Sequence, residues 1–345
     1  MTRPVLLVTG GTGFVGGAVI AEWLQSNRPG RLLALVRAAA DDEAFERLRR
    51  SVSRFGVSIP RDPSRLQMLA GDLTSPALLR EPLLDPVTHV LHLAADTSFL
   101  TRPGAREVNV EAALRLAYRM KSVEGVRRYL HVSTAMICGD NPARVVREDE
   151  FPRPGVRHLV AYSESKADAE RGLPDDDRFV IARPSIVVGH TRLGCEPSAS
   201  IFWAFRAMHQ RCGEDWRLPG RIDVVPVDWT AKALLDLLLV PKLRHRIYHV
   251  SAGVSQATTL ADLSAAMSSV PREEPLGPRV IGAMRLYRRF AALDVVFDNA
   301  RLLAEGIAPP PTFLSYFSTC LRRSGGRSIE DQMRDDAESV FPGGR

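Results

Sequence analysis

Two residues one helical turn apart carry the first chemical signal. The stretch Ala161–Gly172 reads AYSESKADAERG, with Tyr162 and Lys166 at i and i+4. On a helix those positions share a face. A free phenol has a pKa of about 10, too high for easy proton exchange at neutral pH. A lysine ammonium held beside it favours the phenolate and is expected to lower that value. Tyr162 would then give a proton to a carbonyl oxygen as a hydride arrives at the carbon, while Lys166 also bonds a nicotinamide ribose. Lysine is scarce here: Lys121, Lys166, Lys232 and Lys242 stand against 42 arginines. A surface pair at this spacing is the plainer reading, and it loses ground to what the rest of the chain supplies.

Upstream, HVSTAMICG places Ser133 and Thr134 just after an apolar run. A hydroxyl at the carboxyl end of a parallel strand can polarise a substrate carbonyl. His131 and His92 lie inside apolar runs and read as packed core histidines. Downstream, in ARPSIVVG, Pro184 and Ser185 close the next run near where a nicotinamide should lie, with Ile186 following them at the cofactor.

A second site is written at the N-terminus. VTGGTGFVGG sets Gly10, Gly13 and Gly16 three residues apart, directly after an apolar run and opening a helical one. One glycine permits the tight turn, one lets backbone approach a phosphate, and one lets helix press on strand. The helix start then offers free N–H groups to a pyrophosphate, with Thr12, Phe14 and Val15 completing the turn. The second run ends LVR. An arginine there, Arg37, favours a 2′-phosphate over a free ribose hydroxyl, hence NADP(H) over NAD(H). Asp41 and Asp42 just beyond could start a helix or compete for the ribose. In GDL, Asp72 is placed for an adenine amino group with Leu73 against the ring, or for a helix cap. HLAA contributes Ala94 and Ala95.

The elements that must position these residues follow from the pattern. Val5–Gly10, Arg31–Arg37, Leu66–Asp72, His89–Ala95, Arg127–Ser133 and Phe179–Ser185 are apolar nearly throughout, as in strands covered on both faces. Amphipathic helices are expected at Phe14–Gln25, Asp42–Phe55 and Ala105–Lys121. The alternation predicts an α/β fold, a doubly wound parallel (Rossmann) sheet. After Pro184 helices dominate, at Ser198–Arg211, Val227–Leu239 and Leu260–Met267, with short strands at Asp223–Pro226 and Tyr248–Val250. The expected division is a cofactor-binding domain over 1–185 and a smaller, mainly helical substrate-binding part over 186–345, interleaved with the first. Phe202, Trp203 and Phe205 read as core rather than pocket. The basic stretch Arg279–Leu293 reads as a helix whose arginines face water rather than a membrane surface.

Composition narrows the classes. The chain has 345 residues, 45% hydrophobic and 25% charged, with net charge +6, an ordinary globular profile. Without a zinc finger, an aromatic RNA-binding motif or a basic arm, no nucleic-acid partner is expected. The four cysteines, Cys138, Cys195, Cys212 and Cys320, form no C-x-x-C. Free thiols, no metal site and a reducing, cytoplasmic setting are expected. No apolar run reaches the length of a membrane span or a signal segment.

In order, TGGTGFVG, GDL, HLAA, Asn109–Val110, VST, YSESK and RPSIVVG resemble the extended short-chain dehydrogenase/reductases. That resemblance implies a catalytic Thr134, Tyr162 and Lys166 with Ser133 beside them, and Asn109 positioning the cofactor end. Within the superfamily the chain is most similar to acyl-thioester reductases: male-sterility-type fatty acyl-CoA reductases and the reductase domains that end carboxylic acid reductases and some peptide synthetases. The segments LVRAAADDEAFERLRRSVSRFGV, GDLTSPAL, HLAADTSFLTRPGAREVNVEAALRLA and DVVPVDWTAKALLDLL carry this likeness, and FDNARLLAEGIAPPPTFLSYF carries it less specifically. The implied reaction is NADPH reduction of an acyl thioester, on CoA or on an acyl carrier protein, to an aldehyde or an alcohol. Two departures touch the site: Glu111–Ala112 and Ala167 stand where the family often has a glycine and an aromatic. Rival readings are an NAD-dependent sugar-nucleotide epimerase or dehydratase, another carbonyl reductase of the superfamily, and a non-catalytic NADP(H)-sensing regulator. The last commonly lacks the tyrosine or the lysine, and both are present here.

Overall fold

The computed structural model describes residues 3–340 apart from Asn27, 98–103, Pro154, 196–200, 213–219, Ser269, Pro271, 273–274 and Gly325. The expected helix start at Ser198 and the middle of the run after HLAA lie outside the described residues. By its contacts the chain divides into two compact units. The first comprises Met1–Ile137, Val160–Pro184 and Thr230–Val250; the second comprises Cys138–Leu159, Ser185–Trp229 and Ser251–Arg345.

The first unit holds a seven-stranded sheet. Its strands are β1 (Val5–Thr9), β2 (Arg31–Val36), β3 (Leu66–Ala70), β4 (His89–His92), β5 (Arg128–Val132), β6 (Phe179–Pro184) and β7 (Ile247–Val250). They run in the order β7-β6-β5-β4-β1-β2-β3, and every pairing is parallel. Each strand is buried almost end to end, which is why none of the runs alternates. The strand order reverses between β1 and β4, and a crevice for ligands opens at the carboxyl ends of such a pair. Tyr248–Val250, read from the sequence as a short strand of the substrate-binding part, is part of the sheet edge: Ile247 pairs with Ile181 and Val250 with Pro184. A four-residue run carries too little pattern to declare its partner.

Four helices of this unit bear on the site. α1 (Phe14–Gln25) buries Gly16, Gly17, Ala18, Val19, Ile20, Ala21 and Trp23. α2 (Asp41–Ser53) buries Ala44, Phe45, Leu48 and Val52 and carries Asp41, Asp42 and Glu43 in its first turn, where carboxylates suit the helix dipole. The expected helix over Ala105–Lys121 is not uniform. Glu107–Ala112 forms a π-helical turn, followed by α3 (Ala113–Lys121). α4 (Ala161–Gly172) spans the AYSESKADAERG stretch and buries Ser163, Ser165, Lys166, Ala167, Ala169 and Glu170.

The second unit has its own core, with Phe202, Trp203, Phe205, Phe313, Tyr316 and Phe317 at its centre. Phe202, Trp203 and Phe205 are packing residues, as expected. Three short ladders fasten distant segments: Val145–Val146 with Val296–Phe297, Ile186–Val187 with Val224–Val225, and Arg221–Ile222 with Thr258–Thr259. Asp223 adds a further tie, accepting from the N–H groups of Ala252 (2.7 Å), just before a short helix, and Phe297 (3.1 Å), in one of those ladders. The basic stretch is the helix Pro278–Ala291. It buries Val280 and Met284, sets Tyr287 edge-on to Trp203 at 5.1 Å, and leaves Arg279, Arg285, Arg288 and Arg289 exposed. Among the described residues no helix is long and apolar enough to cross a membrane.

Candidate active site

The glycine turn is held by contacts that leave no room for a side chain. Gly10 has φ +72, and a Cβ there would meet Ala94 N and Leu93 C at 2.7 Å. At Gly16 a Cβ would lie 2.1 Å from the carbonyl oxygen of Gly10. The turn closes with Gly13 N–H donating to Gly10 O at 3.0 Å. α1 then starts with no side-chain cap at Gly13 and no acidic residue in its first turn. Its leading N–H groups are left for an anion, so Gly10, Thr12, Gly13, Phe14, Val15 and Gly16 fit a dinucleotide pyrophosphate.

Thr9 braces the same end of the sheet. Its hydroxyl oxygen accepts from Leu93 N (3.2 Å) and Ala94 N (3.1 Å), which fixes the loop of Ala94 and Ala95 against β1. Arg37 follows β2 and is exposed. Arg47, from α2, donates to the Arg37 carbonyl, so a second guanidinium reaches the end of β2. An arginine mid-helix carries no positional mark in the sequence, so its role shows only in the structure. Asp41 is not free to compete for a ribose: its Oδ1 accepts from Ala70 N at 2.9 Å. Asp42 faces Arg61 at 3.5 Å. Asp72 is exposed and closes its own turn, accepting from Thr74 N and Thr74 Oγ1, both at 2.8 Å. Leu73 is buried in the core with Leu35, Leu69 and Leu78.

Asn109 sits in the π-helical turn and is almost fully buried. Its Oδ1 accepts from Asp96 N (2.7 Å), and its Nδ2 donates to Asp96 O (2.9 Å) and Ser165 Oγ (2.9 Å). Ser165 Oγ in turn donates to Tyr162 O at 2.8 Å. One amide thus clamps the loop after β4 to α4, at the turn that carries Tyr162. A π-helical turn places one extra residue in the helix, and such turns are frequent at functional sites.

Ser133 and Thr134 follow β5. Ser133 N–H donates to Ala182 O at 2.7 Å, so the β5 end is pinned to β6. Thr134 Oγ1 accepts from Met136 N at 3.2 Å, which leaves its own proton to donate. Ser133 Oγ and Ser163 Oγ are buried with no hydrogen-bond partner among the described residues. Orphaned buried hydroxyls are uncommon and call for an explanation such as a ligand. Pro184 ends β6 in the first unit, and Ile186 begins a short strand of the second.

The electrostatics of Tyr162 and Lys166 correct the sequence expectation. Tyr162 is half-buried, and the surrounding protein pushes its pKa up to about 12. Burial pulls Lys166 down to about 8, with Glu170 opposing the shift. The lysine Nζ instead lies 3.4 Å from His131 Nε2. His131 and His92 are fully buried, as expected, yet His131 is not merely packing. No signal at position 131 alone would have shown this; the register of β4 and β5, which sets His92 opposite His131, is where it becomes visible. A phenol at about 12 stays protonated at neutral pH, the form that donates to a developing alkoxide.

A family model described as male sterility protein matches residues 8–234. The non-canonical nonribosomal peptide synthetase FrzA of a Cladobotryum species is 26% identical over 300 residues, 80% of this chain and 29% of that protein. The chain thus spans less than a third of that relative. The terminal R domain from the myxalamid PKS-NRPS biosynthetic pathway superposes with TM-score 0.74 at 22% identity, covering 94% of this chain and 91% of that one. The Bordetella bronchiseptica enzyme WbmG in complex with NAD superposes with TM-score 0.64 at 20% identity, covering 95% and 96%.

Proposed function

Because the chain belongs to the male sterility protein family of extended short-chain dehydrogenase/reductases and is an NAD(P)-dependent oxidoreductase, we propose that it reduces an acyl thioester with NADPH, the acyl group arriving on CoA or on a carrier protein. What most supports this reading is the half-buried, protonated Tyr162 one turn from Lys166, on a helix tied to the loop after β4 and to β5.

A nicotinamide cofactor bound at the glycine turn would supply the hydride that the thioester carbonyl carbon needs. The chain's residues do the rest. The glycine turn and the first turn of α1 hold the pyrophosphate, and Arg37 with Arg47 favours a 2′-phosphate. Asn109 keeps α4 seated so that Tyr162 and Lys166 keep their place. The Thr134 hydroxyl, with Ser133 beside it, donates to the carbonyl oxygen and polarises it. The Tyr162 phenol delivers the proton that the oxygen needs as negative charge develops there. The resulting hemithioacetal breaks its C–S bond, giving an aldehyde and a thiol.

The test mixes the purified protein with NADPH or NADH and a panel of acyl-CoA and acyl carrier-protein thioesters, following nicotinamide absorbance and trapping aldehyde. NADPH-dependent aldehyde release is the expected result. No oxidation with any thioester, alongside turnover of a UDP-sugar, overturns the proposal in favour of an epimerase.

A further inference from the structure

We propose that His131 is a positioning residue for Lys166: its Nε2 lone pair accepts a lysine N–H and holds the ammonium in register with Tyr162, which requires a neutral imidazole carrying its proton on Nδ1. The inference rests on the reading of Lys166 as part of the reactive site, and it goes beyond that reading.

The hydrogen bonds around the two buried histidines fix their tautomers. Thr9 Oγ1 accepts two backbone N–H groups, from Leu93 and Ala94. Its single proton is therefore directed to His92 Nδ1, 2.9 Å away. A neutral His92 then carries its proton on Nε2. An ammonium only donates, so the 3.4 Å contact from Lys166 Nζ makes His131 Nε2 the acceptor and leaves the proton on Nδ1. The two rings stack at 5.4 Å and 28°, and His92 Nε2 and His131 Nδ1 have no partner among the described residues.

The groups facing this cluster keep both rings neutral. Thr9 on β1, His92 on β4 and Tyr129 on β5 bring no charge. On α4 itself lie Tyr162 and Glu170, and Glu170 is engaged by Arg183 of β6 at 2.7 Å. An imidazolium at either histidine would thus stand beside the lysine ammonium without a carboxylate of its own. Burial and the lysine charge accordingly push His131 well below its ordinary value and His92 to about 3. Lys166 is 1% exposed. With an aliphatic residue at 131 the ammonium would be sealed in beside no acceptor at that position, and buried polar groups without partners are strongly disfavoured.

The test uses His131→Gln, whose amide oxygen reaches about as far as Nε2, and His131→Leu, which offers no acceptor. With only four lysines in the chain, lysine-selective 13C and 15N labelling gives a spectrum in which the Lys166 titration is resolved, assigned with Lys166→Arg. Expected are an Nδ1–H tautomer for His131 by ring 15N shifts, a Lys166 midpoint near 8 in the wild type, little change in His131→Gln, and a drop of about one pH unit in His131→Leu. The pH profile of kcat/KM for thioester reduction should move by the same amount in His131→Leu and recover in His131→Gln. An Nε2–H tautomer, an imidazolium, or a Lys166 midpoint indifferent to both substitutions overturns the proposal. If His131→Leu does not fold, the wild-type tautomer decides. If no thioester is turned over, the functional proposal fails while the NMR result still decides this one.

Discussion

Replacing Gly16 with alanine should disable cofactor binding while leaving the protein folded. The added Cβ would lie 2.1 Å from the Gly10 carbonyl oxygen, 2.8 Å from its carbon and 2.9 Å from Gly11 Cα. Ordinary carbon–oxygen contact begins about 1.2 Å further out, and every obstructing atom is backbone. The turn cannot retreat, because Gly10 is already pressed on Ala94 N and Leu93 C. The strain must open the turn at the Gly13 N–H to Gly10 O bond, or lift α1 from β1. Overpacking of this kind costs about 1–3 kcal/mol, or roughly 3–10 °C in Tm for a unit of this size. Displacing one donor from a charged ligand loses about tenfold to a hundredfold in affinity. The neighbouring glycines are the controls. At Gly13 the Cβ would meet Gly10 O at 3.3 Å, and at Gly11 the obstructing atoms are the flexible ends of Ile20 and Leu48. Titration of NADP+ by fluorescence, with thermal melts, should rank Gly16→Ala well below Gly13→Ala and Gly11→Ala. Equal affinity for Gly16→Ala and wild type would refute the steric argument.

Three further outcomes are expected. Tyr162→Phe should lower kcat for thioester reduction by about a hundredfold or more with KM little changed, measured by steady-state kinetics. Arg37→Asp should move the NADPH/NADH preference toward NADH by about tenfold or more in kcat/KM, since a carboxylate repels a 2′-phosphate. Stability should fall on acidification below pH 6.5, as read by urea midpoints. His89 (about 4), His92 (about 3) and His131 are depressed in the folded protein, so the unfolded chain binds their protons first. Their contribution is complete above the unfolded value and is lost as pH falls toward the folded ones, at up to about 1.4 kcal/mol per group per pH unit. Asp223, raised to about 6, works in the opposite sense between about pH 4 and 6, but it is one group against three. A flat midpoint from pH 7 to 4 would contradict this.

Much of the architecture was legible because parallel strands announce themselves as unbroken apolar runs. The six strands and helices α1 and α2 lie where the pattern placed them, within two residues at their ends except β4, which stops at His92, three residues short of the expected Ala95. The π-helical turn at Glu107–Ala112 was not legible. Residue types there are ordinary helix formers, and only the tertiary demand for Asn109 to reach Asp96 and Ser165 shows why the turn widens. The Tyr162/Lys166 spacing was read as an electrostatic pair, yet spacing says nothing of desolvation, and here desolvation raises the phenol. The role of His131 hides for a similar reason. A histidine in an apolar run looks like filler until the helix above it is known to deliver a cation.

The sheet also dictates an order of assembly. β6 lies between β5 and β7, but β7 is reached only at Ile247, after the chain has run through 185–229 in the other unit. On the ribosome, β6 waits as an unpaired edge of buried-type sequence until that strand emerges. Such a long-range closure slows folding and exposes a sticky margin meanwhile. A gene cut at residue 185 would make this margin permanent, so neither unit can be excised as one continuous piece of chain.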